Sequence, residues 1–372
     1  MRGRLAASAV ACCLALAGCS LVPESSSPPS EPVRAPATSA ATPTPSAAAP
    51  TPSRPPSLAP SPSPAPSLAT IGRPADDGAR IVKVETLNPR TRDLTVESPA
   101  VGSVMVRLLL PSTFADEPAT RFPVLYLLHG GGGEYTDWTS KTDVEALTKP
   151  TRLLVVMPAA LSSRLNGWFK SIKDGGRGFT KENPPGWEAF HVTELPQLIE
   201  RNWQGSDARA IAGLSLGGYA AIVYAARHPG TFKIAASFSG ALGISQRIGQ
   251  LVQTKDSRVL ARVAEAVAQA KLLGGYDTVA LAPDLKGTAL YISYGNGVPG
   301  PLDPPTTTTD DPFEEWCGGG GELFKDALKQ DGIPATVHAY GRGTHLWPYW
   351  ERELGLSLPM ILKALDAAST AP

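Results

Sequence analysis

Short apolar runs alternate with amphipathic stretches along most of this chain, from Arg80 towards the C-terminus. Such alternation is typical of a mostly parallel sheet that is covered by helices. Several runs are continuous in Val, Ile and Leu, as in strands buried on both faces. The pattern predicts an α/β fold with a central sheet and helices on both faces.

Nine segments are candidate strands, and we expect the earliest of them to pair antiparallel: 81–85, 93–97, 103–110, 123–128, 153–157, 208–212, 234–238, 289–294 and 335–339. Five segments have helical patterns: 186–203, 215–228, 257–273, 321–331 and 348–368. In the third, valine recurs every four residues and gives one apolar face, so we interpret it as a lid or packing helix.

The N-terminus has the features of an export signal. Arg2 and Arg4 precede an apolar run over residues 5–18 that is too short to span a bilayer. Its end, Leu-Ala-Gly-Cys at residues 16–19, resembles the lipobox of bacterial lipoproteins. We therefore predict a signal peptide over residues 1–18, lipidation of Cys19 and anchoring on the outer face of the cell membrane; an ordinary secretory signal is the alternative.

Residues 20–75 are rich in Pro, Ser, Ala and Thr and lack apolar periodicity. Such a segment cannot bury enough surface to offset its ordering entropy, so residues 19–75 are predicted to form a lipidated, disordered tether before a single domain at 76–372. Cys317 is then the one cysteine of that domain, and we interpret it as incidental. The 34 basic and 34 acidic residues balance, which argues against a nucleic-acid partner.

The sequence Gly-Leu-Ser-Leu-Gly-Gly at residues 213–218 follows a predicted strand and opens a predicted helix. A serine in a G-x-S-x-G turn between a strand and a helix is typical of a nucleophile elbow, where small neighbours permit a very sharp turn. A phosphate-binding loop would instead end in Gly-Lys-Ser/Thr. Ser215 is therefore the predicted nucleophile.

A second glycine cluster, His-Gly-Gly-Gly-Gly at residues 129–133, follows an earlier strand. This is where such hydrolases place part of an oxyanion hole, so the N–H groups of Gly131 and Leu216 are predicted to bind the developing oxyanion. We interpret His129 as a structural hydrogen-bonding residue.

The base of such a triad follows the nucleophile and the acid in the chain. His345 fits best, because it lies between the last predicted strand and the final helix, whereas His338 falls within the strand and His191 and His228 fall in helical patterns. The acid that orients the histidine should lie between residue 294 and His345. Its candidates are Asp303, Asp310, Asp311, Glu314 and Glu315.

Several stretches within residues 104–362 together resemble the esterase family that includes esterase D, S-formylglutathione hydrolase and the antigen 85 mycolyltransferases. They are Leu-Tyr-Leu-Leu-His-Gly at 125–130, Val-Val-Met-Pro at 155–158, the serine motif at 213–218, Tyr-Gly-Asn-Gly at 294–297 and Gly-Thr-His-Leu-Trp-Pro-Tyr-Trp at 343–350. The resemblance implies an α/β-hydrolase fold. The spacing of Phe324 and Ala327 matches the mycolyltransferase branch, which implies Glu314 as the acid, with Glu315 and Asp303 as alternatives.

Two departures weigh against a mycolyltransferase that acts on trehalose. His129 and the glycine run replace an aspartate and an arginine of that branch, and its paired cysteines are missing. The aromatic side chains of Trp168, Phe169 and Trp347 are predicted to border the pocket, where flat rings can stack on a sugar or an acyl chain.

The sequence thus predicts a serine esterase that acts on small-molecule, lipid or glycolipid esters through an acyl-enzyme intermediate. An acyltransferase that moves an acyl group to a sugar or glycerolipid hydroxyl is the alternative. A non-catalytic surface binding protein on a hydrolase scaffold is a further one. No metal or organic cofactor is expected, because no cysteine or histidine spacing indicates ligands.

Overall fold

A computed structural model describes residues 71–160, 186–247 and 275–366 of the chain. The signal peptide, Cys19 and the tether lie outside the described residues, except for residues 71–75. The helical pattern at 257–273 and the predicted pocket residues Trp168 and Phe169 also lie outside them.

In the described residues one sheet contains nine strands in the order β1-β2-β3-β5-β4-β6-β7-β8-β9. The strands are β1 Arg80–Thr86, β2 Thr91–Ser98, β3 Gly102–Leu109, β4 Phe122–Leu128, β5 Leu154–Pro158, β6 Gly205–Leu214, β7 Ile234–Phe238, β8 Ala289–Gly295 and β9 Thr336–Gly341. Each candidate strand of the sequence is found, with its ends moved by no more than three residues.

The first strands pair antiparallel, β1 with β2, β2 with β3 and β3 with β5, as expected. From β5 to β9 every pairing is parallel. Parallel strands end at the same edge of a sheet, and functional residues of open α/β sheets collect at the carboxyl ends of strands. Ser215 directly follows β6, and the loop with His345 follows β9, so both lie at this edge.

The α-helices are Asp137–Lys141, Val144–Thr148, Gly186–Ala189, Leu195–Asn202, Leu216–Arg227, Pro312–Gln330 and Trp347–Ala364, with a π-helical stretch at Phe190–Glu194 and a 3₁₀ turn at Ala282–Leu285. We call Leu216–Arg227 the elbow helix, Pro312–Gln330 the Glu314 helix and Trp347–Ala364 the C-terminal helix.

Alternate side chains of β4 point into two different hydrophobic clusters. Val124 and Tyr126 pack on the face that the elbow helix covers, and Leu125 and Leu127 pack on the face that the C-terminal helix covers. Helices therefore cover both faces of the sheet, and the predicted fold class is confirmed.

The start predicted for the Glu314 helix, residue 321, was wrong. The helix begins at Pro312 and runs through four consecutive glycines, Gly318 to Gly321. Glycine costs helix stability, which is why the sequence pattern favoured a break there. A Cβ at Gly318 would lie 2.3 Å from the Gly295 carbonyl oxygen, and one at Gly320 would lie 2.0 Å from that of Leu242. The glycines therefore permit close approach of the helix to β8 and to the chain after β7.

A buried carboxylate holds three separate parts of the chain together. Glu188 is fully buried, and its oxygens contact Arg227 Nε at 2.9 Å, His228 Nε2 at 2.7 Å and the Tyr276 hydroxyl at 2.8 Å. A buried charge needs such partners, and here they place His228 in a structural network away from the serine motif.

None of the helices in the described ranges has the length and apolar character needed to cross a membrane.

Candidate active site

Ser215 lies in a strained turn between β6 and the elbow helix. Its backbone has φ 52° and ψ −120°, a region that residues other than glycine rarely adopt. Its N–H donates to the Phe238 carbonyl at 2.9 Å, and its carbonyl accepts from Tyr219 N–H at 2.9 Å. The surrounding structure therefore fixes the strained conformation that presents the serine side chain.

The glycines of the motif are required by close backbone contacts. A Cβ at Gly213 would lie 2.5 Å from the Gly217 carbonyl, and a Cβ at Gly217 would lie 2.3 Å from the His129 carbonyl oxygen. At Gly218 it would lie 2.8 Å from Ser237 Oγ. This is the steric reason that the sequence analysis gave for an elbow.

The second glycine cluster lies against the elbow. A Cβ at Gly131 would lie 2.8 Å from Leu216 Cδ1, and one at Gly130 would lie 3.2 Å from Ser215 Cβ. Leu216 is the first residue of the elbow helix, where an N–H has no acceptor within the helix. The structure thus brings together the two residues predicted to form an oxyanion hole.

His129 supports this glycine loop through both ring nitrogens. Its Nε2 accepts from Ala160 N–H at 2.9 Å, so Nδ1 carries the proton and donates to the Gly130 carbonyl at 2.7 Å. Burial lowers the pKa of His129 below its ordinary value. A neutral ring with both nitrogens engaged agrees with the structural interpretation of His129.

His345 and Glu314 form a close pair. His345 Nδ1 lies 2.6 Å from Glu314 Oε2, and the carboxylate is fully buried. The other oxygen, Oε1, accepts from Gly295 N–H at 2.6 Å, Ser239 Oγ at 2.8 Å and the Tyr340 hydroxyl at 3.0 Å. Three donors thus satisfy one oxygen of this buried carboxylate, and the other oxygen faces the His345 ring.

Two of these donors were not recognised in the sequence. Ser239 has φ 47°, and its hydroxyl accepts from Trp350 Nε1 at 3.1 Å while it donates to Glu314. Burial, followed by the charge of Glu314, raises the pKa of Tyr340 far above its ordinary value, so its hydroxyl stays protonated as a donor. Neither residue belongs to a recognisable local motif, because the donors converge only in the fold.

Ser215 is linked to the Glu314–His345 pair through the end of β7. Its N–H donates to the Phe238 carbonyl, and Ser239, the residue after Phe238, donates to Glu314. The His345 ring is flanked by the rings of Phe313 and Trp350, with centroid distances of 4.5 and 4.8 Å. Among the described residues, the His345 ring bonds Glu314, and no hydrogen bond joins it to the Ser215 hydroxyl.

The other candidate acids have different positions. Asp303 accepts from Thr344 Oγ1, from Gly300 N–H at 2.6 Å and from the Tyr349 hydroxyl at 2.6 Å. Burial opposes ionisation of Asp303, but these hydrogen bonds outweigh it and keep the pKa of Asp303 below its ordinary value. The residue therefore braces the loop before His345 and does not contact the imidazole.

Asp310 and Glu315 are exposed. Asp311, the remaining candidate, bonds the backbone of His345 and not its ring.

Trp347 lies two residues after His345 and is partly exposed. It packs edge-on against Trp138 and Trp350 at 5.2 and 5.3 Å, and the Lys141 ammonium lies 5.1 Å from its ring centroid. An aromatic face at this position can border a substrate pocket. Within the described ranges, no group of three or more His, Cys, Asp or Glu side chains is arranged to hold a metal ion.

The fold and the serine elbow together define an α/β-hydrolase. The model of the putative esterase family matches residues 100–360, well over half of the chain. The chain belongs to this esterase family, which confirms the resemblance seen in the sequence.

One similar relative is named an esterase, and another is named an acyltransferase. Esterase Rv1288 of Mycobacterium tuberculosis is 31% identical over 275 residues, which cover 70% of this chain and 57% of that protein. The chain thus spans less than two thirds of that relative. The diacylglycerol acyltransferase/mycolyltransferase Ag85B of Mycobacterium leprae is 29% identical over 269 residues, which cover 66% of this chain and 77% of the relative.

Among solved structures, an S-formylglutathione hydrolase from Agrobacterium tumefaciens superposes with a TM-score of 0.56. The match covers 77% of this chain and 99% of that one at 17% identity. At this identity the likeness concerns the fold.

Proposed function

We propose that this protein is a serine esterase that cleaves carboxylic esters through an acyl-enzyme, with Ser215, His345 and Glu314 as its triad. The observation that carries the proposal is the 2.6 Å contact between His345 and the buried Glu314, beside a serine held at φ 52° in an elbow. Membership of the esterase family supports the same chemistry.

In the first half of the reaction, Ser215 Oγ attacks the carbonyl carbon of the ester while His345 Nε2 takes the hydroxyl proton. Hydrogen bonds between catalytic groups often form fully only when substrate is bound, so Ser215 and His345 need not be bonded beforehand. The Glu314 carboxylate accepts from Nδ1–H and stabilises the imidazolium. The N–H groups of Gly131 and Leu216 receive the oxyanion.

Collapse of the tetrahedral intermediate breaks the bond to the alcohol, and His345 returns its proton to the departing alkoxide. In the second half, His345 removes a proton from water, the resulting nucleophile attacks the acyl-enzyme, and the acid leaves as Ser215 recovers its proton. Trp347, beside the site, is proposed to border the pocket for the acyl or alcohol group.

Hydrolysis of p-nitrophenyl esters of graded acyl length by the domain from residue 71 onward tests this proposal. We expect Ser215→Ala to abolish turnover and Glu314→Gln to lower kcat by about 100-fold or more, since loss of a triad carboxylate costs several orders of magnitude. Ser112→Ala, an exposed serine that bonds Lys149 outside the site, is the control and should match the parent.

Full activity of Ser215→Ala would overturn the serine mechanism. If the folded parent neither hydrolyses esters nor reacts at Ser215 with an organophosphonate, the non-catalytic binding protein would be the better explanation.

Acyl transfer is the second candidate, and the relative named diacylglycerol acyltransferase/mycolyltransferase Ag85B favours it. The same acyl-enzyme would then be attacked by a sugar or glycerolipid hydroxyl instead of water. Adding glycerol, monoacylglycerol or a disaccharide to the p-nitrophenyl assay separates the two candidates. New acyl ester at the expense of free acid supports transfer, whereas free acid as sole product supports hydrolysis.

We also propose that the domain acts outside the cell, held by lipid on Cys19. The support is the sequence alone: two arginines, an apolar run and Leu-Ala-Gly-Cys at residues 16–19. Metabolic labelling with a palmitate analogue in a bacterial host should mark the full chain and leave Cys19→Ser unmarked. Equal labelling of both proteins, or release of unlabelled mature protein into the medium, would contradict the anchor.

A further inference from the structure

One carboxylate touches both halves of the Glu314–His345 pair through the backbone. Asp311 precedes the Glu314 helix as its N-cap, and its Oδ1 accepts from Phe313 N–H at 2.9 Å and Glu314 N–H at 3.3 Å. Its other oxygen, Oδ2, accepts from His345 N–H at 2.8 Å. A single side chain thus joins the start of the helix that carries the acid to the loop that carries the base.

The backbone of Asp311 is itself fixed. Its N–H donates to the Gly297 carbonyl at 2.7 Å, and a Cβ at Gly297 would lie 2.3 Å from the Asp311 carbonyl oxygen. Gly297 has φ 78°, which favours glycine, and its N–H bonds the Gly343 carbonyl at 3.0 Å. The Asp311 carboxylate therefore projects from a rigid platform that also contacts the His345 loop.

Loss of the second acceptor oxygen of Asp311 should change the geometry of the Glu314–His345 pair more than the stability of the fold. A cap is worth about 1 kcal/mol, but Asn caps a helix as well as Asp. A bond to His345 N–H needs a second acceptor oxygen, which an Asn amide or a Ser hydroxyl cannot supply while it also caps the helix. Only a carboxylate satisfies both groups, and small misplacements of catalytic groups can cost up to 100-fold in rate.

We propose that Asp311 is a positioning residue, which sets the separation and orientation of the Glu314–His345 pair by bonding the backbone of both at once. This inference rests on the proposed function. It assigns Asp311 no contact with substrate. Its effect on the reaction is expected to pass through the Glu314 carboxylate.

A double-mutant cycle in the full chain tests the proposal, with p-nitrophenyl acetate as substrate. Asp311→Asn should lower kcat about tenfold with KM unchanged within twofold, and the thermal midpoint should fall by only a few degrees because the cap is kept. In a Glu314→Gln background the same change should lower kcat by less than twofold. Asp310→Asn, the exposed neighbour with the same change of charge, should match the parent.

An unchanged kcat in Asp311→Asn would overturn the proposal, as would an equal loss in the parent and in Glu314→Gln. If Asp311→Asn does not fold, Asp311→Ser provides the same comparison with a different capping oxygen. Ser215→Ala separates this inference from the proposed function. Full activity of that variant removes the serine mechanism altogether, whereas an inactive Ser215→Ala beside a fully active Asp311→Asn removes only the positioning role.

Discussion

A buried carboxylate at residue 314 needs donors, and the fold supplies three uncharged ones besides His345. Gly295 N–H, Ser239 Oγ and the Tyr340 hydroxyl converge on one oxygen and leave the other for the imidazole. Neutral donors stabilise the carboxylate without a competing cation that would weaken its attraction for an imidazolium. The arrangement suits an acid that orients a base.

Among the individual site residues, those that belong to local motifs could be predicted from the sequence. Ser215 was identifiable because its turn requires glycines, and His345 because of its place after the last strand. Local sequence patterns leave Glu314 as one of five candidate carboxylates, since these residues differ in burial and contacts, which only the fold determines. Asp311 did carry a local signal, an aspartate before a proline and three residues before Glu314, which is typical of a helix N-terminus.

The Glu314 helix forms although four of its residues are glycines, which have a low helix propensity. Its four glycines would each cost up to about 1 kcal/mol relative to alanine in an exposed helix. Here they allow contacts of backbone with backbone, because a Cβ at Gly320 would lie 2.0 Å from the Leu242 carbonyl oxygen. The chain at residues 240–242 also contacts the elbow, since Ala241 N–H lies 3.4 Å from the Ser215 carbonyl.

We therefore expect Gly320→Ala to lower the free energy of unfolding by about 2 kcal/mol despite the better helix propensity of alanine, since overpacking against backbone outweighs it. Gly355→Ala in the C-terminal helix is the matched control. Its Cβ would meet nothing within 4 Å, so it should raise that free energy by about 0.5–1 kcal/mol. Urea unfolding of both variants measures the difference. Stabilisation of both would show that the close approach relaxes without cost.

The strands were predictable because their residue types agree with the structure that they form. β4, β5, β7 and the second half of β6, residues 210–214, are almost entirely buried on both faces, so their Val, Ile, Leu and Ala content is set by the sheet itself. The helix boundaries were less predictable because tertiary contacts override propensity. The segment predicted as one helix at 186–203 consists of two α-helical pieces around the π-helical stretch Phe190–Glu194.

At the scale of the whole molecule, two buried histidines hold the chain after β5 to the domain. His129 accepts from Ala160 N–H, and His191 Nε2 lies 2.9 Å from the Ala159 carbonyl while its Nδ1 lies 3.1 Å from the Tyr224 hydroxyl. Burial lowers the pKa of His191 to about 4. Both rings are thus neutral structural groups near neutral pH, and both bond the chain that follows β5. His191 also connects the π-helical stretch to the elbow helix through Tyr224.

The buried carboxyl group of Glu194 should dominate the pH dependence of the free energy of unfolding above pH 4.5. Glu194 is 1% exposed, and among the described residues its Oε2 has no hydrogen-bond partner while Oε1 accepts from Ala100 N–H at 3.2 Å. Burial, with the nearby Asp77 carboxylate, raises the pKa of Glu194 from 4.5 to about 7. A protonated Glu194 can donate from Oε2, whereas the ionised form leaves a buried charge.

Because the folded pKa of Glu194 lies above the unfolded value, the folded state binds the proton more tightly. Its contribution is complete below about pH 4.5 and is lost as the pH rises through about 7. Glu194→Gln, which keeps a donor at all pH values, should therefore raise the free energy of unfolding by about 1–3 kcal/mol at pH 8 and change it little at pH 4. Urea unfolding from pH 4 to 8 measures this difference, with Glu85→Gln, an exposed partner of Lys83, as a control that should show no such trend. A constant difference between Glu194→Gln and the parent across this range would mean that Glu194 does not change its protonation there.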